Sequence, residues 1–253
     1  MKYRIEKKES RVVNGHTLYR IYRAETPNGA RGGWVESESN LSQEGNCWIN
    51  NEACAYGNAK VYGDAQVLGN AQICGYAQVC GNAQIYDNAK IYDGAMVYGN
   101  AQIYGNAQAY GNVTICGNTR TYDCAQVYGS AQVRDEARVF GKAKLYGKAS
   151  VFGNANIYGE AKIFNRAQIS GNAHVCGNAE VFNRAMVYGN STVSDYVQIY
   201  DNARVYGDAM IYENAEVGGN ADVCDGTLVH GNAIVFDKEL IYSAFANSGT
   251  EDY

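Results

Sequence analysis

The chain has 253 residues, of which 46% are hydrophobic, so it is long enough to bury a sizeable core. Its 29 glycines, 22 tyrosines and single proline are far from ordinary usage and indicate a repeat protein rather than a disordered one. The formal net charge of −5 disfavours non-specific binding of the whole molecule to nucleic acid or to anionic membrane. No segment has the apolar length of a signal peptide or a membrane span, so we expect a soluble, cytoplasmic protein without a membrane partner.

The first element in chain order is a predicted cap, residues 1–52. Residues 3–6 and 18–24 alternate in polarity like strands, and Asn14-Gly15 between them is a hairpin signal. A solenoid needs such a cap because its first coil would otherwise present unpaired backbone groups to other molecules. We therefore expect a β-hairpin followed by an opening coil.

A six-residue unit then repeats over residues 53–243, with the form Ala-x-Val/Ile-Tyr/Phe/Cys-Gly-Asn and no inserted or deleted residue. Alternate residues of a strand share a face, so positions one and three, which are small or β-branched, are predicted to point inward. Position five is nearly always Gly, Asn or Asp, which tolerate positive φ, so the chain is predicted to turn there. Residues 244–253 are predicted to be a C-terminal tail.

This pattern, seen for example in residues 61–66, resembles the hexapeptide repeat of left-handed parallel β-helices. The segment Gly32-Gly33-Trp34-Val35, followed by Asn40-Leu41-Ser42 and Cys47-Trp48-Ile49, resembles the opening segment of YdcK-like hexapeptide proteins. The resemblance implies an all-β fold: a single-stranded, left-handed parallel β-helix with three sides and 18 residues per coil. The strand and turn follow from the residues, whereas the number of sides and the hand come from the resemblance.

The eight cysteines are predicted to be free thiols in a reducing compartment. No two of them are one predicted coil apart, and Cys80 and Cys116, which are two coils apart, are too distant for a disulfide. Cysteine and histidine also do not cluster as they do in metal sites. We therefore predict no metal and no cofactor.

Many relatives of the hexapeptide-repeat superfamily are acyltransferases, so an acyltransferase-like enzyme is one hypothesis that the resemblance implies. In those enzymes the chemistry depends on loops that interrupt the repeat and on a histidine at a subunit boundary. This repeat is uninterrupted. His174, which faces outward between Asn156 and Thr192, is the best available candidate for a general base, but no carboxylate or carbonyl is evident to orient it. We therefore assign no catalytic residue.

Position four places aromatic residues in consecutive predicted coils. Stacked rings stabilise a solenoid and shield its backbone hydrogen bonds, which is the structural interpretation. A continuous outward strip would also be a large apolar surface, which is typical of a face for self-association or for a protein partner. The longest such strip, the predicted binding face, comprises Tyr92, Tyr110, Tyr128, Tyr146, Phe164, Phe182 and Tyr200.

A basic corner lies beside the strip, where like charges are stacked in a way that stability alone would not favour. Glu160 and Glu180 are expected to neutralise part of it. With the aromatic residues, these cations could hold a small anionic ligand by stacking and charge, although a solvated patch is the alternative interpretation. The corner comprises Lys144, Lys148, Lys162, Arg166 and Arg184.

Three functional hypotheses follow. The first is a non-catalytic structural or interaction solenoid that presents aromatic ladders to copies of itself or to a partner, and the missing insertions favour it. The second is the acyltransferase-like enzyme. The third is a ligand-sequestering module that uses the basic and aromatic strip. The sequence contains no strong nucleic-acid signal.

Overall fold

The computed structural model of the chain describes residues 1–24, 29–237, 240–242 and 245–246. Apart from a 3₁₀ turn at Glu38–Asn40, its regular elements are all β-strands. The chain divides into two units, Met1–Gly129 and Ser130–Tyr253, which together contain about 11 turns of stacked parallel strands. No helix among these residues is long and apolar enough to cross a membrane.

The first unit begins with the predicted hairpin. Tyr3–Val13 (β1) runs antiparallel to His16–Arg23 (β2) around a turn at Asn14 and Gly15, both of which have positive φ. Arg31–Val35 (β3) continues antiparallel to β2 and also pairs in parallel with the strand Cys54–Ala55. This strand therefore joins the antiparallel hairpin to the parallel coils.

The rest of the first unit consists of two-residue strands, separated by turns. They are Trp48–Ile49 (β4), Cys54–Ala55 (β5), Lys60–Val61 (β6), Gln66–Val67 (β7), Gln72–Ile73 (β8), Gln78–Val79 (β9), Gln84–Ile85 (β10), Lys90–Ile91 (β11), Met96–Val97 (β12), Gln102–Ile103 (β13), Gln108–Ala109 (β14), Thr114–Ile115 (β15), Arg120–Thr121 (β16) and Gln126–Val127 (β17).

From β4 to β14, each strand of the first unit pairs in parallel with the strand three places further along the chain. Gln84, for example, lies between Gln66 and Gln102, and each of these partners is 18 residues away. Successive strands therefore belong to three different sheets. The predicted stacking interval is confirmed.

The second unit repeats the same arrangement from Ser130. Its strands are Gln132–Val133 (β18), Arg138–Val139 (β19), Lys144–Leu145 (β20), Ser150–Val151 (β21), Asn156–Ile157 (β22), Lys162–Ile163 (β23), Gln168–Ile169 (β24), His174–Val175 (β25), Glu180–Val181 (β26), Met186–Val187 (β27), Thr192–Val193 (β28), Gln198–Ile199 (β29), Arg204–Val205 (β30), Met210–Ile211 (β31), Glu216–Gly218 (β32), Asp222–Cys224 (β33), Leu228–Val229 (β34), Ile234–Phe236 (β35), Leu240–Tyr242 (β36) and Phe245–Ala246 (β37).

Within the second unit, Lys162 pairs with Glu180 and His174 lies between Asn156 and Thr192. Of the predicted tail, residues 244–253, the structure describes only Phe245–Ala246, which pairs with Leu228–Val229. The other residues of the tail lie outside the described part of the chain.

The repeat positions have the predicted roles. Side chains at positions one and three are buried throughout, as Ala161 and Ile163 illustrate with no exposed surface. Burying a Val or Ile side chain contributes on the order of 1.5–3 kcal/mol, so this column of side chains is the main source of stability. Every position-five residue from Gly57 to Asp237 has positive φ, including non-glycines such as Asp87 and Glu213. The turn is therefore placed as predicted.

Candidate functional site

The predicted aromatic strip forms stacked ladders within each unit. In the first unit, the ring centroids of Tyr92 and Tyr110 are 4.7 Å apart and those of Tyr110 and Tyr128 are 5.0 Å apart, with nearly parallel planes. Burial raises the pKa of Tyr92 to about 12, so its phenol is neutral at physiological pH. The rings cover each other's faces and leave their edges toward solvent.

In the second unit, the Tyr146 ladder comprises Tyr146, Phe164, Phe182 and Tyr200. Its ring centroids are 4.8, 4.9 and 5.4 Å apart in that order, and the planes of the last pair differ by 15°. All four side chains are half-buried. The ladder ends at Gly218, where a β-carbon would lie 2.5 Å from the Tyr200 ring, so the missing side chain makes room for that ring. Because its four rings are half-buried, the Tyr146 ladder presents less apolar surface to solvent than fully exposed rings would.

Three of the predicted basic residues form a column at the corner that follows this ladder. The backbone N–H groups of Lys148, Arg166 and Arg184 donate to position-five carbonyls of the next coil, so the hydrogen-bond ladder fixes the column's spacing. All three side chains are exposed, and no carboxylate of the described residues lies within ion-pairing distance of them. We call these three residues the cation column.

The other two predicted basic residues lie on the opposite side of the ladder, at position two. Lys144 pairs in register with Lys162, and the Nζ atom of Lys162 is 2.7 Å from Oε1 of Glu180. The hydrogen bond that Lys162 donates to the Glu180 carboxylate raises the pKa of Lys162. Glu160 instead pairs with Lys142 at 2.8 Å, away from the predicted basic corner. Glutamate therefore neutralises Lys162 but not the cation column.

A shallow, open groove with a volume of about 910 Å³ runs along the cation column. Its floor is made by position-five and position-six residues of successive coils. Amide and carboxylate side chains replace the cations toward its far end, where Phe236 lies with 47% of its surface exposed. The residues of that far end are Asp201, Asn202, Gly219, Asn220, Phe236 and Asp237.

Asparagine side chains connect the coils beneath this groove. Nδ2 of Asn165 donates to Oδ1 of Asn183 at 3.0 Å, and Nδ2 of Asn183 donates to Oδ1 of Asp201 at 2.9 Å. Such ladders of amides hold the corner residues in register. The positions of the groove residues are therefore set by the fold before any ligand binds.

His174 has the neighbours that the sequence predicted, Asn156 and Thr192. Its ring lies edge-on to that of Tyr158, with centroids 6.5 Å apart. No carboxylate of the described residues contacts it, so it lacks the partner that would orient a general base. Among the described residues, no group of three histidine, cysteine or acidic side chains could hold a metal ion.

The sequence analysis missed a histidine–carboxylate pair in the cap. Nδ1 of His16 is 2.9 Å from Oε1 of Glu36, whose Oε2 accepts a 2.7 Å hydrogen bond from the N–H of Gly57. The hydrogen bond from His16 lowers the pKa of Glu36, against partial burial that raises it. The His16 ring also packs 5.0 Å from that of Tyr56. Because both carboxylate oxygens are already bonded, this pair anchors the hairpin to the first coil.

A second missed cluster lies around Trp34. The guanidinium groups of Arg20 and Arg11 are 3.8 and 4.6 Å from its ring centroid, and its indole N–H donates to Glu52 at 2.9 Å. Both arginines also pair with Glu52. Arg20 is almost completely buried, and its two terminal guanidinium nitrogens are hydrogen-bonded although its Nε atom has no partner among the described residues. The cluster therefore also holds the cap on the solenoid.

The third outer face has an interrupted series of aromatic rings. In the first unit Cys80 and Cys116 alternate with Tyr62 and Tyr98, each of which is 37% exposed because no ring stacks on it. In the second unit the Arg134 guanidinium takes the place of a ring, 4.6 Å from the Phe152 centroid. All eight cysteines are free thiols.

The fold and this surface define the class of protein as a parallel β-solenoid repeat protein. Residues 83–99, 197–213 and 203–219 match the family model described as YdcK Beta solenoid repeat. The chain thus contains repeats similar to that family, in agreement with the resemblance predicted from the sequence. No curated protein matches the chain.

Proposed function

We propose that the protein is a non-catalytic interaction scaffold that associates with a second copy of itself through the Tyr146 ladder. The observation that supports this role is the stacking of Tyr146, Phe164, Phe182 and Tyr200 at 4.8 to 5.4 Å. Stacked rings are already immobilised, so their burial in an interface loses little side-chain entropy. Aromatic residues also predominate at the centres of protein interfaces.

Charge favours a second copy as the partner. The ladder is flanked by Lys144 on one side and by the cation column on the other, whereas the chain as a whole carries a formal net charge of −5. Other surfaces of the same protein are therefore acidic and complementary to this face. Such a contact would be head-to-tail rather than two-fold, because a two-fold contact would place the cations against each other.

An acyltransferase-like role has less support. His174 has no orienting carboxylate among the described residues, and the carboxylate beside His16 already has both oxygens bonded. The six-residue register also runs without the loop insertions that would build a cleft. We also propose that the coil is left-handed, as in the superfamily that it resembles, and that the protein is cytoplasmic.

Sedimentation equilibrium over a range of protein concentrations tests the proposal. We expect a mass that rises above the 27.5 kDa of one chain as concentration increases. Because charge complementarity contributes, added salt should reduce the association. A mass of one chain at every concentration and at low salt would contradict self-association.

A further inference from the structure

Beyond self-association, we propose that the groove along the cation column binds a nucleoside polyphosphate, with its phosphate chain on Lys148, Arg166 and Arg184. The groove, about 910 Å³ in volume, has the size of small-molecule sites. Its lining residues come from a single unit, at the corner beside the Tyr146 ladder, and the ring of Phe236 at its far end lies 6.4 Å from that of Tyr200.

The charge of the column calls for a multivalent anion. The rings of the adjacent ladder are 4.8 and 4.9 Å apart from one coil to the next, so the three cations extend over about 10 Å. Like charges this close repel each other, and the nearby glutamates bond elsewhere, Glu160 to Lys142 and Glu180 to Lys162. A bound anion would relieve that repulsion.

Phosphate fits this column better than carboxylate does. Each guanidinium presents a planar fork of N–H donors that binds phosphate oxygens in pairs, and Lys148 adds a flexible third donor. Each phosphate supplies several acceptor oxygens and more than one negative charge. Two or three linked phosphates can therefore engage all three cations together.

The other end of the groove limits the ligand to a short phosphate chain. Beyond Arg184 the charge reverses, because the carboxylates of Asp201 and Asp237 line the groove. A long polyanion that continued along the corner would meet these negative charges. Carboxylates accept hydrogen bonds from hydroxyl and amino groups, and amides both donate and accept them. The exposed ring of Phe236 offers an apolar surface to a planar base. A nucleoside matches this half of the groove.

Isothermal titration calorimetry with the full chain, at concentrations where it is monomeric, tests the site. The probes are adenosine triphosphate, inorganic tripolyphosphate and adenosine, each without metal. We expect saturable binding of adenosine triphosphate, weaker binding of tripolyphosphate and no measurable binding of adenosine. Affinity should fall as salt is added.

The combined substitutions Arg166→Gln and Arg184→Gln should weaken binding of adenosine triphosphate at least about tenfold. Arg120→Gln combined with Arg138→Gln removes the same charge from exposed position-two sites outside the groove and should leave the affinity unchanged. Thermal unfolding of both variants shows whether the fold is intact. Absence of saturable binding, or an equal loss in the two variants, would overturn the proposal.

Tighter binding of tripolyphosphate than of adenosine triphosphate would overturn the nucleoside half of the proposal. Tighter binding of a single-stranded oligonucleotide than of adenosine triphosphate would overturn the proposal that the groove accepts only a short phosphate chain. These binding measurements use monomeric protein, so they do not depend on self-association. Sedimentation of the protein with Arg166 and Arg184 unaltered measures self-association separately.

Discussion

Gly141 and Gly159 stack so closely in consecutive coils that a β-carbon on Gly141 would lie 3.0 Å from the backbone nitrogen of Gly159. Gly141 also has a φ of 68°, in the left-handed region. Two separate constraints, the backbone conformation and the contact with the next coil, therefore act on the same position. Neither constraint acts on Lys142, the next residue along the corner.

We predict that Gly141→Val destabilises the protein by about 1–3 kcal/mol or more, because a β-branched residue is strained at positive φ. Chemical denaturation monitored by circular dichroism measures the loss. Lys142→Ala is the control, since its exposed ion pair with Glu160 contributes little to stability. An equal loss in both variants would place the turn one residue away from position five.

A second prediction concerns Thr121, which occupies an inward position normally held by Val or Ile. Its side chain is fully buried, and its hydroxyl has no hydrogen-bond partner among the described residues. Thr121→Val should therefore stabilise the protein by about 1 kcal/mol, because an unsatisfied buried hydroxyl is removed without a change of shape. The midpoint of urea denaturation measures the gain.

Thr114→Val is the matched control for that experiment. Thr114 lies in a strand of the same unit but faces outward and is half-buried. Its substitution should change stability little. A destabilised Thr121→Val variant would mean that the hydroxyl is satisfied, for example by buried water.

The third prediction is a pH dependence located in the cap. Because the hydrogen bond from His16 lowers the pKa of Glu36 below its ordinary value of 4.5, the ionised carboxylate stabilises the folded state. That contribution is complete above the unfolded-state pKa and is lost as pH falls through the lower folded-state pKa. Wild-type protein should therefore exceed the Glu36→Gln variant in stability at neutral pH, and the difference should shrink under acid conditions.

Free energies of unfolding at a series of pH values measure that difference. Glu44→Gln, which removes an exposed carboxylate of the same cap, controls for the loss of one negative charge. If the difference between wild type and Glu36→Gln stays constant down to strongly acidic pH, the pair of His16 and Glu36 does not stabilise the cap.

Much of the fold could be predicted because each repeat position has one physical task. Position five must accept positive φ, and the structure has Gly, Asn, Asp or Glu213 there with positive φ throughout. Positions one and three must fill the interior, and 18-residue neighbours must pair. The same six-residue pattern is repeated along the chain, so the turns, the buried positions and the strand pairing can be predicted from the sequence. The hand of the coil stays a prediction.

The site was predicted less completely because its contacts depend on side-chain choice rather than on register. Register places Glu180 beside Lys162 and Glu160 beside Lys142, each 18 residues apart, but it does not tell that both ion pairs form or that no carboxylate of the described residues pairs with the cation column. The bond between His16 and Glu36 was missed because it joins a hairpin to a coil through irregular chain. Glu36 follows β3 in a segment outside the six-residue repeat, so no spacing in the sequence marked this pair. The function of the aromatic strip and of His174 stays a prediction.

The most direct test of the central claim compares two double variants by sedimentation equilibrium. Tyr146→Ser with Phe164→Ser removes two adjacent rings of the Tyr146 ladder, whereas Phe152→Ser with Tyr188→Ser removes rings of the interrupted face. The control also loses comparable contacts, since Phe152 packs against Arg134 and Tyr188 stacks on Tyr206 at 4.9 Å. Thermal unfolding of each variant must be measured alongside, because both pairs stabilise the solenoid.

If the Tyr146 ladder is the self-association face, the first double variant should dissociate at least about tenfold more readily than wild type, while the second should associate as wild type does. Equal association of the two variants, with both folded, would contradict the account and leave the ladder with a purely structural role.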